Sequence, residues 1–185
     1  MQNTAGIADD ILIGQCKKGN LKHQELLYKR FYGYAMGISL RYSYSKDDAL
    51  EAVNDAFIKV FNAINQYNND RPFKAWLRTI VVNASIDRRR KDIKHQLNLE
   101  LDDNTPIAST NYTITALLSA NDILKMMDRL PAIQRTIFNL YEIDGYSHDE
   151  IAAMVNISTS SSRVYLSRAK EKLRIIINTE AKQHE

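Results

Sequence analysis

Apolar residues recur at intervals of three and four along almost every periodic stretch of this chain, and no segment alternates as a half-buried strand would. Three prolines and six glycines in 185 residues leave few breakers to interrupt long helices. The spacing therefore predicts an all-α protein: two small helical domains joined by a flexible linker, the C-terminal one a helix-turn-helix.

Ile11, Leu12, Gln15 and Cys16 outline a short first helix. Leu26, Leu27, Phe31, Tyr34, Ala35 and Ile38 give a second, over 21–40. Asp47 or Asp48 is placed to cap a third, built on Ala49, Val53, Ala56, Phe57, Val60 and Phe61 and reaching about Ile64. The polar tract 66–72 reads as a loop, with Pro72 at the first position of the next helix. That helix turns Phe73, Trp76, Leu77, Ile80, Val81 and Ala84 inward and continues into Arg88-Arg89-Arg90-Lys91. Residues 96–124 then contain no Lys or Arg but include Glu100, Asp102, Asp103 and Pro106. This change of composition sets the expected boundaries: a first domain over 1–95, an acidic linker over 96–114, and a second domain over 115–185.

Composition narrows the class of function. A hydrophobic fraction of 44% and a charged fraction of 25% describe a globular chain, and no run of eighteen apolar residues predicts a membrane span. One cysteine, Cys16, allows no intrachain disulfide and suits a reducing compartment. Met1 to Asp10 lacks the basic end and apolar core of a signal peptide, so the expectation is a cytoplasmic protein. His23, His95, His148 and His184 have no metal-ligand spacing, and no glycine-rich phosphate loop is present. No enzyme activity, cofactor or metal is expected.

The net charge of +3 is mild, but its distribution is uneven. Near the C-terminus a helix, a turn at Asp144-Gly145, a short helix and a longer one follow in order. Ser147 stands three residues before Glu150, the spacing of a capping box, and Asn156 fits the other end. Ser158 or Thr159 caps the last helix, expected over 160–177. Ser162, Leu166, Ala169 and Leu173 share its inner face, while Arg163, Val164, Ser167, Arg168 and Lys170 lie opposite. Residues 159–174 hold five bases against one acid, Glu171. This is the layout of a helix-turn-helix, whose second helix presents its first turns to base edges while nearby cations meet phosphates. Ser160 to Ser162 are small enough for close backbone approach, and their amides suit a phosphate at a helix N-terminus.

The N-terminal half carries two opposed charge blocks. Residues 47–61 hold four acids (Asp47, Asp48, Glu51, Asp55) and one base, Lys59. Glu51 and Asp55 are four apart and so share a face, with Asn54 beside them, an arrangement suited to a basic helical partner. Residues 71–94 hold eight bases and two acids. Lys74, Arg78, Ser85 and Arg89 share a face by spacing, preceded by a loop offering Tyr67, Asn68 and Asn69. Cations along a strand with an aromatic and amides nearby are the parts of a single-strand binding site. Trp76 falls on the inward face, where packing against the core outweighs base stacking.

Three stretches resemble the small sigma factors of the extracytoplasmic-function group of the sigma-70 superfamily, over about Asp9 to Arg174. Asp48-Ala49-Leu50-Glu51-Ala52-Val53-Asn54-Asp55-Ala56-Phe57 resembles the family's polymerase-binding helix. Phe73-Lys74-Ala75-Trp76-Leu77-Arg78-Thr79-Ile80, with Asn83, Asp87 and Arg88, resembles the segment that captures and melts the minus-ten element. Leu130-Pro131, Glu150-Ile151-Ala152, Ile157-Ser158 and Leu166-Ser167-Arg168-Ala169-Lys170 resemble the helix-turn-helix that reads the minus-thirty-five element.

The resemblance implies a factor that binds core RNA polymerase, directs it to promoter DNA and promotes melting. It implies docking on the β′ clamp helices through Asp48, Glu51, Asn54, Asp55, Phe57 and Ile58. It implies minus-ten contacts from Tyr67, Asn68, Asn69, Arg71, Lys74, Arg78, Asn83, Arg88 and Arg89. Minus-thirty-five contacts fall to Ser160, Ser161, Arg163, Val164, Ser167, Arg168 and Lys170. It also implies a linker threading toward the polymerase active-site and RNA-exit region, and an anti-sigma protein as a further partner. The chain departs from the family pattern at Ser160, where Gly is usual, at Ser161, where Thr is usual, and at Val164 and Tyr165, where small polar or basic residues are common. A valine there suits a thymine methyl, and the departures leave the promoter sequence open. Leu50 replaces a usual acid, which implies a slightly weaker polymerase contact. The competing reading is a stand-alone helix-turn-helix regulator, which leaves the acidic row and the first basic block without a role. A purely structural adaptor would leave both basic blocks without one.

Overall fold

The computed structural model describes the backbone of residues 7–68, 70–100 and 125–181, and their side chains except those of 91, 92, 95–100, 180 and 181. Among these residues there are helices and turns and no strand. The chain divides into two compact units, Met1–Arg88 and Arg89–Glu185.

The first unit contains α1 (Asp9–Lys17), α2 (Leu21–Ser39), α3 (Lys46–Ala63), a 3-10 turn (Ile64–Gln66) and the start of α4 (Phe73–Glu100). Asp9 and Asp10 in the first turn of α1 and Lys17 in its last suit the helix dipole. Gly19, at φ +75°, supplies the left-handed residue that lets the chain reverse into α2. Asn20 then caps α2 by accepting from the His23 amide. The cap of α3 is Ser45, whose hydroxyl accepts from the Asp48 amide at 3.1 Å, rather than Asp47 or Asp48. Those two acids instead occupy the first turn, where the helix dipole favours them.

Leu12, Ile13 and Cys16 bury one side of α1, and Ile11 points out. Leu27, Phe31, Ala35 and Ile38 of α2 meet α3, where Ala49, Ala52 and Ala56 are fully buried. Three alanines on one face allow close backbone approach. At their end the Ser39 hydroxyl donates to the Ala49 carbonyl at 3.1 Å. Ser85 of α4 donates to the Val81 carbonyl at 2.9 Å and lies 3.3 Å from the Ser39 hydroxyl. The buried hydroxyls thus satisfy one another across three helices. Ser85 is therefore a core residue, not a member of the basic face that its spacing from Lys74 and Arg78 suggested.

Pro72 precedes α4 rather than opening it, and its carbonyl accepts from the Ala75 amide at 2.9 Å. The helix is 28 residues long and runs to Glu100, so residues 96–100 are helix where linker was expected. Nothing between His95 and Glu100 breaks a helix. The remaining expected linker, 101–114, lies outside the described residues.

In the second unit, residues 125–128 are helical and are followed by α5 (Ala132–Phe138), a π-helical turn (Asn139–Ile143), α6 (His148–Val155) and α7 (Thr159–Ala181). Met126, Met127, Leu130, Ile133, Ile137, Leu140, Ile151, Leu166 and Ala169 form its core. Gly145 turns the chain at φ +77° before α6. Ser147 and Glu150 make both bonds of the expected capping box, and Asn156 ends α6 in the left-handed region at φ 59°. Ser158 caps α7 through the Ser161 amide at 3.0 Å.

Candidate functional site

Three surfaces collect the residues singled out by the sequence. The first is the outer face of α3. Asp48, Glu51 and Asp55 project toward α4 and converge on one side chain, Arg88. Its Nε lies 3.5 Å from Asp48, one terminal nitrogen 2.9 Å from Asp55, and the other bonds Glu51. Partial burial works against the guanidinium charge, but the hydrogen bond it donates to Asp55 and the charge of Glu51 outweigh it and push the pKa up. Arg88, which the resemblance assigned to the minus-ten contacts, thus lies among the acids of α3. Its three ion pairs across from α4 to α3 hold it there, and its charge is balanced by carboxylates.

Beside this cluster Ile58 is 60% exposed. Asp55, Ile58, Lys59, Ala84, Asp87 and Arg88 line a shallow hollow of about 330 Å³ around it, and Lys59 pairs with Asp87 at 2.9 Å. Asn54 is exposed and accepts from the Tyr28 hydroxyl at 3.0 Å. Phe57, grouped with these residues by the resemblance, is only 2% exposed, and its ring packs at a tilt against Tyr28 and Phe61. Phe57→Ala would cost roughly 3–5 kcal/mol of stability. A loss of binding in that variant would report unfolding, not a lost contact.

The second surface is a cleft of about 720 Å³ between the loop after the 3-10 turn and the first turns of α4. Asn68, Asp70 and Arg71 form one wall, and Ala75, Trp76, Thr79 and Ile80 the other. Tyr67 lies at its base but is only 5% exposed. Its hydroxyl donates to the Arg71 carbonyl at 2.7 Å, and its ring meets Phe73 edge-on with centroids 5.4 Å apart. Tyr67 is thus a scaffold for the loop rather than an exposed platform. Trp76 is half-buried, 5.2 Å from the Tyr67 ring, and it both packs and faces the cleft.

Asn83 is exposed one turn beyond Thr79. Lys74 and Arg78 do not line the cleft: Lys74 sits over the Tyr34 ring at 5.7 Å, and Arg78 is half-exposed. Arg89 is half-buried just past the division between the units, and Asn69 lies outside the described residues. Sequence reasoning missed Ala75, Thr79 and Ile80. The signal available was their four-residue spacing, Ala75 to Thr79 and Trp76 to Ile80, on the helix face that follows the polar loop.

The third surface is α7. Ser162, Leu166 and Ala169 are buried, which turns Ser160, Arg163, Val164 and Ser167 outward as one row. Val164 is 48% exposed at the centre of that row. Ser161 faces back, its hydroxyl 2.7 Å from Ser158. Arg168 is half-buried, and Lys170 is paired with Glu142 at 2.6 Å. The row that can enter a groove is therefore narrower than the sequence set.

The angle between α6 and α7 is held by polar contacts as well as by packing. His148 Nδ1 lies 2.9 Å from the buried Ser162 hydroxyl, its ring stacks on Tyr141 at 4.5 Å, and Thr159 donates to Asp149 at 2.8 Å. Burial, reinforced by the nearby Arg163 and Lys170 charges and opposed by Asp149, lowers the His148 pKa from its ordinary value of about 6.5. Below that value the unfolded chain takes up a proton that the folded unit resists, so stability is lost as pH falls. The second unit should melt at a lower temperature at about pH 5.5 than at about pH 7.5, and His148→Asn should flatten part of that dependence. Thermal melts followed by near-ultraviolet circular dichroism test this; an identical pH profile in the variant would count against it.

Comparisons with known proteins match this geometry. The family model for Sigma-70 region 2 covers residues 27–94, and that for Sigma-70, region 4 covers residues 120–173. The chain is 25% identical over 166 residues to the RNA polymerase sigma factor YlaC of Bacillus subtilis, covering 83% of this chain and 93% of that one. It is 25% identical over 181 residues to the ECF RNA polymerase sigma-E factor of Escherichia coli K12, covering 90% and 93%. Its fold matches the sigma factor RpoE of Bartonella quintana, solved in complex with the anti-sigma factor NepR, at a TM-score of 0.53 and 21% identity over 83% of this chain and 96% of that one. Two family modules in order, one on the unit with the acidic row and the cleft and one on the unit with the helix-turn-helix, show that the chain belongs to the sigma-70 superfamily, as a sigma factor of the extracytoplasmic-function group.

Proposed function

We propose that this sigma factor docks on core RNA polymerase through α3, captures the unpaired minus-ten strand in the Trp76 cleft, and reads the minus-thirty-five duplex with α7. The dock consists of Glu51, Asn54 and Asp55, with Asp48 at the edge and Ile58 as its apolar centre. An acidic row around an exposed isoleucine suits a basic amphipathic partner helix, and the β′ clamp helices are that partner. Region 2 of the factor is taken as 1–95 and region 4 as 115–185. It works by binding rather than by catalysing a reaction, in the cytoplasm where the polymerase is. As for the Bartonella relative, an anti-sigma protein is the further partner.

The observation that carries this reading is the presence, on one unit, of both the acidic row and a cleft of about 720 Å³ walled by a tryptophan, an asparagine and an arginine. A cleft of that size accepts an extruded base, with a ring to stack on and polar groups for its edge. A stand-alone duplex-binding regulator has no use for either feature.

Run-off transcription with purified core polymerase on a genomic promoter library tests the whole. Stimulation on a subset of promoters is expected, and no stimulation on any would overturn the reading. On a responsive promoter, Arg163→Ala should weaken duplex binding by about 1–3 kcal/mol at one base pair. An equal loss on every sequence, with a salt slope lower by about one, would make Arg163 a phosphate contact instead.

A further inference from the structure

We infer that Lys17, on α1, is a positioning residue for the strand-capture cleft, acting through the backbone of Tyr67. The inference rests on the reading of the cleft as a single-strand site. Lys17 lies 50 residues before Tyr67, yet its Nζ donates to the Tyr67 carbonyl at 2.8 Å in a part-buried setting and sits 5.7 Å from the centre of the Tyr67 ring. The Tyr67 amide donates to Ile64 at 3.2 Å, and the Tyr67 hydroxyl to the Arg71 carbonyl at 2.7 Å. The wall formed by Asn68, Asp70 and Arg71 thus spans between two fixed points, both held by Tyr67, and Lys17 is what fixes the Tyr67 backbone from outside.

Lys17 itself stands on a firm base. Leu12, Ile13 and Cys16 bury α1 against the core. At the other end of α1, Arg30 pairs with Asp9 at 2.6 Å and donates to the Ile7 carbonyl at 2.7 Å. A cation in the last turn of a helix is common, for its own helix dipole. That account leaves unexplained why this one reaches across to a loop carbonyl. A charge-assisted hydrogen bond in a part-buried setting is strong enough to hold a loop in one conformation. Ordering the wall before the strand arrives removes an entropic cost from capture.

The test uses the full chain bound to core polymerase. The probe is a fluorescein-labelled oligonucleotide carrying the non-template strand of a promoter recovered by run-off selection. Lys17→Met keeps the length of the side chain and removes the donor. It should bind the strand about tenfold more weakly, with core affinity, melting temperature and salt slope unchanged. Lys17→Arg, which restores a donor, should recover most of that loss. If Lys17→Met does not fold, Tyr67→Phe removes the other tie and should show the same loss. Native affinity in a folded Lys17→Met, or in Tyr67→Phe where it stands in, overturns the proposal. So does a loss accompanied by a salt slope lower by about one, the mark of a phosphate contact. Trp76→Ala separates the two claims. A loss with Trp76→Ala alone rejects Lys17 and keeps the cleft, whereas no loss with either rejects the cleft as well.

Discussion

A factor carrying Glu51→Lys and Asp55→Lys is expected to lose affinity for core RNA polymerase by on the order of a hundredfold or more. Both positions would then repel a basic partner where they had attracted one, and like charges facing each other across an interface cost several kcal/mol. The structure adds a complication, because the same carboxylates bind Arg88. The double reversal places two lysines against that guanidinium, so a fall in binding could arise from α3 separating from α4. Adding Arg88→Glu resolves this. The triple variant restores opposite charges within the molecule while keeping the reversed face toward the partner. Its melting temperature should return toward the native value while core binding stays lost. Exposed ion pairs contribute little each, so the effect on melting is small and the effect on docking large. Recovery of core binding in the triple variant would show that the acidic row serves the fold and not the polymerase.

Much of the architecture was legible because helices announce themselves by spacing. The second, third and fourth helices follow the runs at three and four, and the capping box at Ser147 and Glu150 was readable because two positions had to agree. The cap of α3 was not, since Ser45, Asp47 and Asp48 are all competent caps and only the backbone decides among them. The outward row of α7 was legible because burial of Ser162, Leu166 and Ala169 forces the rest outward. The end of α4 was misjudged because charge depletion after residue 95 marks a change of surface, not of backbone. The pairing of Arg88 was hidden because its partners lie 33 to 40 residues away, and a run of arginines looks uniform until the fold sets one of them against carboxylates. Tyr67 was hidden for a similar reason: in a polar loop it reads as exposed, whereas Phe73 and Trp76 offer it an aromatic pocket. Lys17 gave no signal, since a lysine at a helix end is ordinary.

Trp76→Ala should reduce open-complex formation by about tenfold to a hundredfold at saturating polymerase, while leaving core binding unchanged. Stacking of a base on an aromatic ring contributes about 1–3 kcal/mol, which sets that range. The competing account is that Trp76 only packs, since its ring also lies 5.7 Å from Phe73. The two accounts differ in what else changes. A packing role predicts a lower melting temperature and a parallel loss of every activity of the first unit, including docking. Cost to the fold is limited because Trp76 is half-buried, and complete truncation penalties apply to enclosed rings. Trp76→Phe sharpens the contrast, since it keeps a ring against Tyr67 and Phe73 but presents a smaller face to the cleft. Its melting temperature should match the native protein while promoter opening falls to an intermediate level. Permanganate reactivity of unpaired thymines reads opening directly, and core affinity and thermal melts supply the controls. If opening and melting temperature fall together, and conditions that restore the fold also restore opening, the cleft is a packing defect rather than a base pocket. If opening alone falls, the half-exposed ring of Trp76 is where the extruded base rests.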